Sequence, residues 1–332
     1  MASEASEEGA EPTALCHEGT MRSLLRLVAG PAVLLALLAA GCGDDTDDRT
    51  PPDSGVDGPR PVTPLRVLTW NVENLFDTED DPETFDPAPP PSEAEVVRKL
   101  NDLEAVLRAV NADFVALQEV ENEAILGRLA AQVSDLGYEN FGLVDAFDAR
   151  GIDVAYMTRL PLAASPMVTS HLGERFPLPD GSDEIFYTRD ALEVFVDVGG
   201  ATVGIIIVHF RSMRDGGADI RQAEAAYTTQ IAEARIDSGL DKILLVGDIN
   251  DVPGSLPYEE IVSSGALSDL TLRVPEDDRW TFVFSGVRRQ FDYIFASPEM
   301  EAAASDVIIL HGGDVDAASD HQPVAADFQV TP

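Results

Sequence analysis

From Leu65 onward, short runs of consecutive apolar residues alternate with longer stretches in which apolar residues recur every three or four positions. The first pattern predicts buried strands and the second amphipathic helices. Residues 65–70 read as a strand. Ser92 then opens a helix: Val96, Leu100, Leu103, Leu107 and Val110 share one stripe, and Ser92 with Glu95 has the spacing of a capping box. Residues 113–120 read as a strand and 122–136 as a helix stopped by Gly137. Strands are predicted over 152–157, 192–198 and 202–209, the last two joined through Gly199-Gly200 in a tight hairpin. An alanine-rich helix over 218–236 precedes strands at 242–246, 291–295, 307–310 and 323–329. Residues 78–91, rich in acids and prolines, read as an irregular loop. Helices and strands thus alternate, strands then cluster, and the alternation resumes. Two sheets packed face to face, with helices over each outer face, accommodate that order in an α+β fold of α/β type.

The first 62 residues do not follow this pattern. From Met21, Arg22 and Arg26 precede an apolar stretch over 27–40, too short to cross a bilayer, that ends in Ala39-Ala40-Gly41-Cys42. Small residues directly before a cysteine resemble the processing site of a bacterial lipoprotein signal peptide, although Ala39 stands where Leu is commoner. The expectation is therefore an upstream extension at 1–20, a signal peptide at 21–41 and lipidation at Cys42, giving an exported cell-envelope protein held at the membrane. Residues 43–62, mostly Asp, Pro, Gly and Thr, read as a flexible acidic tether spanning on the order of 25 Å.

Composition narrows the chemistry. Of the two cysteines, Cys16 and Cys42, neither falls in the 63–332 domain, so a metal held there has oxygen and imidazole ligands rather than thiolates. With 22 basic against 60 acidic residues, the formal charge is -38. That field repels polyanions at long range and disfavours tight non-specific binding to nucleic acid.

Polar residues capable of chemistry sit where the apolar runs end. Asp248 and Asn250 follow the 242–246 run, two apart and so on one side of it. Asn71 follows Trp70, Glu119 follows Gln118, and His209 closes the run before Phe210-Arg211-Ser212. Further on come Asp292, inside the 291–295 strand, and Ser319-Asp320-His321. Each has an ordinary reading taken singly: a turn-forming Asx residue, an exposed acid, or a histidine at a strand end.

In this order the set resembles the endonuclease/exonuclease/phosphatase superfamily, the DNase I-like metal-dependent phosphoesterases, over residues 65–330. The runs Asn71-Val72-Glu73-Asn74-Leu75-Phe76-Asp77, Arg150-Gly151-Ile152-Asp153-Val154-Ala155 and His209-Phe210-Arg211-Ser212 resemble its secreted bacterial nuclease-like members. Val208 departs from that group, where Asn often stands. The resemblance implies a four-layer α/β/β/α sandwich and a catalytic domain at 63–332. Glu119 is then the principal ligand of Mg2+ or Mn2+, with Ca2+ as an alternative, and Asn71 and Asp320 are further metal residues, the Asn71 amide reaching metal or phosphate and Asp320 supplying another oxygen. Asp248 activates water, Asn250 holds a phosphoryl oxygen or Asp248, His321 meets the phosphate or leaving group, Asp292 orients His321, and His209 contacts phosphate. Arg189, Arg211 and Ser212 are expected to bind substrate; Arg175, Arg214, Arg221, Arg288 and Arg289 read either as further cleft residues for substrate phosphates or as ordinary solvated arginines.

The function expected is a metal-dependent phosphodiesterase, monomeric, with nucleic acid as the favoured substrate. A phosphomonoesterase or phospholipid headgroup hydrolase on the same fold remains open. So does a non-catalytic surface-binding lipoprotein, although the presence of every expected acid, amide and histidine speaks against it.

Overall fold

A computed structural model describes residues 61–81, 84–85, 89–165 and 167–332; the expected leader, Cys42 and nearly all of the tether lie outside the described residues. The chain begins with β1 (Thr63–Leu75), α1 (Glu93–Val110), β2 (Phe114–Val120), α2 (Glu123–Gln132), β3 (Asn140–Leu143) and β4 (Asp153–Thr158). Next come β5 (Val168–Ser170), the short pair β6 (Phe176–Pro177) and β7 (Glu184–Ile185), β8 (Ala191–Val198), β9 (Ala201–His209) and α3 (Ala218–Asp237). They are followed by β10 (Ile243–Asp248), α4 (Leu256–Val262), β11 (Ser268–Asp269), β12 (Phe282–Phe284), β13 (Val287–Arg289) and β14 (Asp292–Ala296). The chain closes with α5 (Pro298–Ala303), β15 (Ala304–Ile309), α6 (Gly313–Ala318) and β16 (Val324–Val330).

One sheet has the order β15-β16-β1-β2-β4-β3 and the other β11-β14-β10-β9-β8-β5. A core of residues such as Val67, Phe114, Val194, Ile205, Val246, Ile294 and Phe328 fills the space between them. A second core lies between the first sheet and α1, α2 and α6, and a third between the second sheet and α3 and α4. This is the four-layer sandwich expected. Each fully buried Leu, Ile or Phe in these layers contributes about 1.5–3 kcal/mol relative to an exposed one, which is why the strands read as almost continuous apolar runs.

Local chemistry sets the boundaries. The Ser92 capping box forms: Glu95 N–H donates to Ser92 Oγ (3.4 Å) and Ser92 N–H to Glu95 Oε2 (2.8 Å). Val96, Leu100, Leu103, Leu107 and Val110 are all buried, and Asn111 ends α1 in the left-handed region (φ 49). The second predicted helix is shorter than its pattern, with α2 ending at Gln132 and a 3-10 turn, Ser134–Leu136, carrying the chain to Gly137. β1 runs past Trp70 to Leu75. The helices α4, α5 and α6 and the strands β3 and β5 were not legible, being too short for a period to show. Gly199 and Gly200 both have positive φ (65 and 93), as the expected hairpin between β8 and β9 requires.

Candidate active site

Strand alternation carries the polar side chains to one place. Leu65 and Val67 on β1, Val203, Ile205 and Ile207 on β9, Leu244 and Val246 on β10, and Ile294 and Ala296 on β14 all belong to the core between the sheets. Continuing each series by two residues gives Asn71 beyond Thr69, His209, Asp248 and Asp292. In register, Asp248 pairs with both His209 and Asp292. The apolar core therefore ends in a polar cleft of about 630 Å³. Gly247 lets β10 reach it: its φ is 138, and a Cβ there would stand 2.0 Å from Val208 O.

Glu119 enters the cleft differently. The pairing of β1 with β2 jumps from Asn71↔Gln118 to Leu75↔Val120, an irregularity that breaks the alternation. At this break Glu73, Asn74 and Glu119 take left-handed φ of 50, 57 and 66, and Asn250 does so at 51. Four of the seven non-glycine residues with positive φ among the described residues thus line the cleft. Such conformations cost on the order of 1–3 kcal/mol each and persist where surrounding contacts dictate them. Here the contacts are Asn71 Nδ2 donating to Glu119 Oε1 (3.3 Å) and Asn74 N–H to Glu119 Oε2 (3.1 Å).

Asp248 is buried beside His321 and Asp292. It accepts from Asn71 Nδ2 (3.1 Å) at Oδ2 and from the Asn250 backbone N–H (2.7 Å) at Oδ1. The Asn250 side chain turns away and donates to Phe210 O (3.0 Å), so it is the backbone amide of Asn250 that holds Asp248. Burial and the Asp292 carboxylate push the Asp248 pKa above the usual carboxylate range, against the pull of His321.

His321 is positioned through Nδ1, which lies 2.8 Å from Asp292 Oδ2. Burial works against its charge, but Asp292 and Asp248 outweigh burial and push its pKa up to about 10. Asp292 is itself fixed from behind, where Thr281 Oγ1 accepts the N–H of Phe291 (2.9 Å) and of Asp292 (3.1 Å). His209 behaves oppositely. Burial, then the positive charges of Arg189, His321 and Arg150, hold it well below its ordinary value, so it is neutral. Its Nε2 lies 3.6 Å from Asp248 Oδ2, and its buried Nδ1 has no partner among the described residues.

Further carboxylates line the cleft next to this pair. Asp320 N–H donates to Glu73 Oε2 (3.1 Å), and Glu73, Glu119 and Asp320 all line the cleft. Burial followed by the Asp320 charge raises the Glu73 pKa. Asp320 is raised by burial and by Glu119 although the residue as a whole is exposed, with His321 and Lys99 opposing. Lys99 reaches in from α1 and donates to Ala318 O (2.5 Å). Glu73, Glu119 and Asp320 offer oxygen donors only, the ligand type a hard divalent cation such as Mg2+ prefers. Among the described residues, the group whose ligand atoms converge within 4.8 Å of one another is Asp248, Asp292 and His321. That second group suits a metal less, because Nδ1 of His321 is committed to Asp292 and a protonated imidazole is no ligand. Asn71 presents its NH2 group to Glu119 and Asp248, while its Oδ1 accepts Glu73 N–H (3.0 Å). The ligand role expected of Asn71 asks for the opposite orientation of that amide.

Among the residues expected to bind substrate, Ser212 and Arg189 line the cleft and Arg211 does not. Arg189 is committed to Asp148 Oδ2 (2.8 Å) and Phe210 O (3.1 Å). Arg211 departs because its backbone N–H is drawn to the buried Glu224 Oε2 (2.9 Å) on α3, and the turn at Ser212 brings Arg214 to the cleft instead. Glu73, Asn74, Arg150 and Phe282 are cleft residues the sequence reading assigned no role, while Arg214 and Arg289, two of the basic residues read as candidate cleft residues, do line it. The signal for the first three was present, since they belong to the motif runs, and Arg150 donates to Asn74 Oδ1.

The sequence profile of the Endonuclease/Exonuclease/phosphatase family matches residues 66–269, well over half of the chain. The solved structures it resembles include the human Nocturnin catalytic domain with bound sulfate anion, at 17% identity and a TM-score of 0.56, covering 80% of this chain and 95% of that one. ANGEL2, a 2',3'-cyclic phosphatase, aligns at 16% identity and a TM-score of 0.57, covering 81% and 95%. D. rerio TDP2 complexed with single strand DNA product aligns at 18% identity and a TM-score of 0.52, covering 80% and 99%. At these identities the likeness is one of fold. No curated protein matches the chain. The profile match across the body of the chain, on the fold just described, makes this protein a member of the endonuclease/exonuclease/phosphatase family.

Proposed function

We propose that the chain is a divalent-metal-dependent phosphodiesterase acting on nucleic acid. The observation that carries this reading is that oxygen donors of Glu73, Glu119 and Asp320, the buried Asp248 and the hydrogen-bonded His321–Asp292 pair all face one cleft. The fold neighbours include a 2',3'-cyclic phosphatase and a protein complexed with single-stranded DNA product, which supports a phosphate-ester substrate.

In this reading Asp248 takes the proton of the attacking water, for which a pKa raised toward neutrality suits it. The imidazolium of His321 donates from Nε2 to the phosphoryl or leaving oxygen, and Asp292 holds its tautomer and charge. Neutral His209 donates to a second phosphoryl oxygen from Nε2. Glu119, Asp320 and Glu73 would hold a divalent cation, which when bound would supply charge neutralisation on the phosphoryl oxygens. Residues 63–332, assayed against DNA, RNA, nucleotides and phospholipids in Mg2+ or Mn2+, are expected to hydrolyse a phosphodiester and to stop in excess chelator. Full turnover with chelator present would overturn the metal requirement, and no turnover of any ester would overturn the enzyme.

Localisation at the cell envelope through a lipid on Cys42 is part of the same proposal, motivated by Ala39-Ala40-Gly41-Cys42 after a short apolar stretch. Among the described residues no helix is long and apolar enough to cross a membrane. The full chain expressed in a bacterial host is expected to fractionate with membranes, and Cys42→Ala to abolish lipidation. A mutant still lipidated and processed before residue 42 would refute it.

A further inference from the structure

The β12–β13 hairpin stands at the rim of the cleft and is tied to the catalytic pair from two sides. Phe282 pairs with His321 in an isolated bridge, with the two rings 4.7 Å apart, and Gln322 N–H donates to Thr281 O (2.7 Å). The turn is Ser285-Gly286, both with positive φ (50 and 78), the two-residue geometry that keeps a hairpin tight. Register pairs Phe282 with Arg289, Val283 with Arg288 and Phe284 with Val287. Alternation therefore puts Phe282, Phe284, Val287 and Arg289 on one face, and Phe282, Phe284 and Arg289 line the cleft. On the other face Arg288 sits over the Trp280 ring at 4.5 Å.

Two of these cleft residues are energetically unspent. Phe284 is 54% exposed, an apolar ring left in water. Arg289 and Arg214 line the cleft and make no side-chain hydrogen bond or ion pair among the described residues, whereas Arg108, Arg221 and Arg235 are each paired with a carboxylate. A cleft that leaves two guanidiniums unpaired at a net charge of -38 has room for an anion there.

We propose that Phe284, supported by Phe282, forms a stacking subsite for an unpaired nucleobase, with Arg214 and Arg289 holding the phosphate adjoining it. The preferred substrate is then a single-stranded or mononucleotide ester rather than a duplex. This inference rests on the phosphodiesterase reading above. Rings alternating with guanidiniums match a base and its phosphate, whereas an acyl chain offers the arginines nothing. The acidic field weakens long-range capture of a polyanion, so affinity must come from short-range stacking, worth about 1–3 kcal/mol per base and insensitive to salt. In a duplex the bases are stacked on one another and cannot reach Phe284. The cleft volume of about 630 Å³ suits a ligand of nucleotide size.

The test compares kcat/KM on a single-stranded oligonucleotide, the same strand with one abasic residue at the cleavage position, and its duplex. The wild type, Phe284→Ala, Arg289→Gln and a surface control, Leu256→Ala on α4, are measured. Binding of the intact and abasic strands to Asp248→Asn, by fluorescence anisotropy, gives a second readout. The wild type is expected to favour the base-bearing strand over the abasic one by about tenfold or more, and Asp248→Asn to bind it more tightly by a similar factor. Phe284→Ala should bring the ratio close to one, Arg289→Gln should weaken binding of both strands, and Leu256→Ala should leave the ratio at its wild-type value. A wild type indifferent to the base, or a ratio unchanged in Phe284→Ala, would overturn the subsite while continued hydrolysis of the abasic strand left the phosphodiesterase reading standing. Sedimentation with phosphatidylcholine vesicles that is lost in Phe284→Ala, with the oligonucleotide ratio unmoved, would assign the hairpin to a lipid surface instead.

Discussion

Asp248→Asn is expected to lower kcat by about two to four orders of magnitude on whichever ester proves best, with the fold intact. The substitution keeps the side chain's size and removes its basicity. It also forfeits one of two accepted hydrogen bonds, from Asn71 Nδ2 and Asn250 N–H, a loss of about 1 kcal/mol. Removing a buried charge next to Asp292 offsets that loss, so the melting temperature should move by only a few degrees. His321→Ala should be similarly impaired, and the double mutant should lose less than the product of the single losses because both groups act on one transition state. The pH profile gives an independent check. The required form of His321 is the imidazolium, so activity should fall as pH rises through its elevated pKa, about 10. Asp292→Asn removes the carboxylate 2.8 Å from Nδ1 and should move that limb down by about 1–3 pH units. A limb that stays in place would assign the titration to another group, and near wild-type turnover by both single mutants would make Asp248 and His321 structural.

Glu119→Gln should raise the Mg2+ concentration needed for half-maximal activity by about 10–100-fold, the size of effect seen when the surroundings of a metal site are altered. The amide retains one oxygen to accept from Asn71 Nδ2 or Asn74 N–H, so the left-handed turn at Glu119 is kept, and thermal unfolding without metal should change little. With Mn2+ added, the wild type should gain melting temperature in proportion to occupancy and the mutant should gain less at each concentration. Equal Mn2+ shifts and equal Mg2+ midpoints in the two proteins would remove Glu119 from the cation site and leave Glu73 and Asp320 as the candidates.

The sequence by itself determined the layers, because burial on both faces of a strand demands the apolar runs that β9 and β10 display, and burial on one face of α1 demands its stripe. It also determined where chemistry would lie, since a polar residue that continues an apolar series, as His209 and Asp248 do, must emerge at the end of the core. Tertiary structure alone decided the rest. Glu119 follows an alternation that on its own would send it to the helix side, and only the irregular pairing of β1 with β2 and a φ of 66 turn it into the cleft. Arg211 and Arg214 are indistinguishable as letters near His209, yet the buried Glu224 of α3 captures the backbone of the first while a turn delivers the second. The left-handed run at Glu73-Asn74 and the face of the β12–β13 hairpin that meets His321 are likewise products of strand register and of contacts between residues far apart in the chain. Periodicity records which residues are buried; it carries no record of which neighbour will be there to meet them.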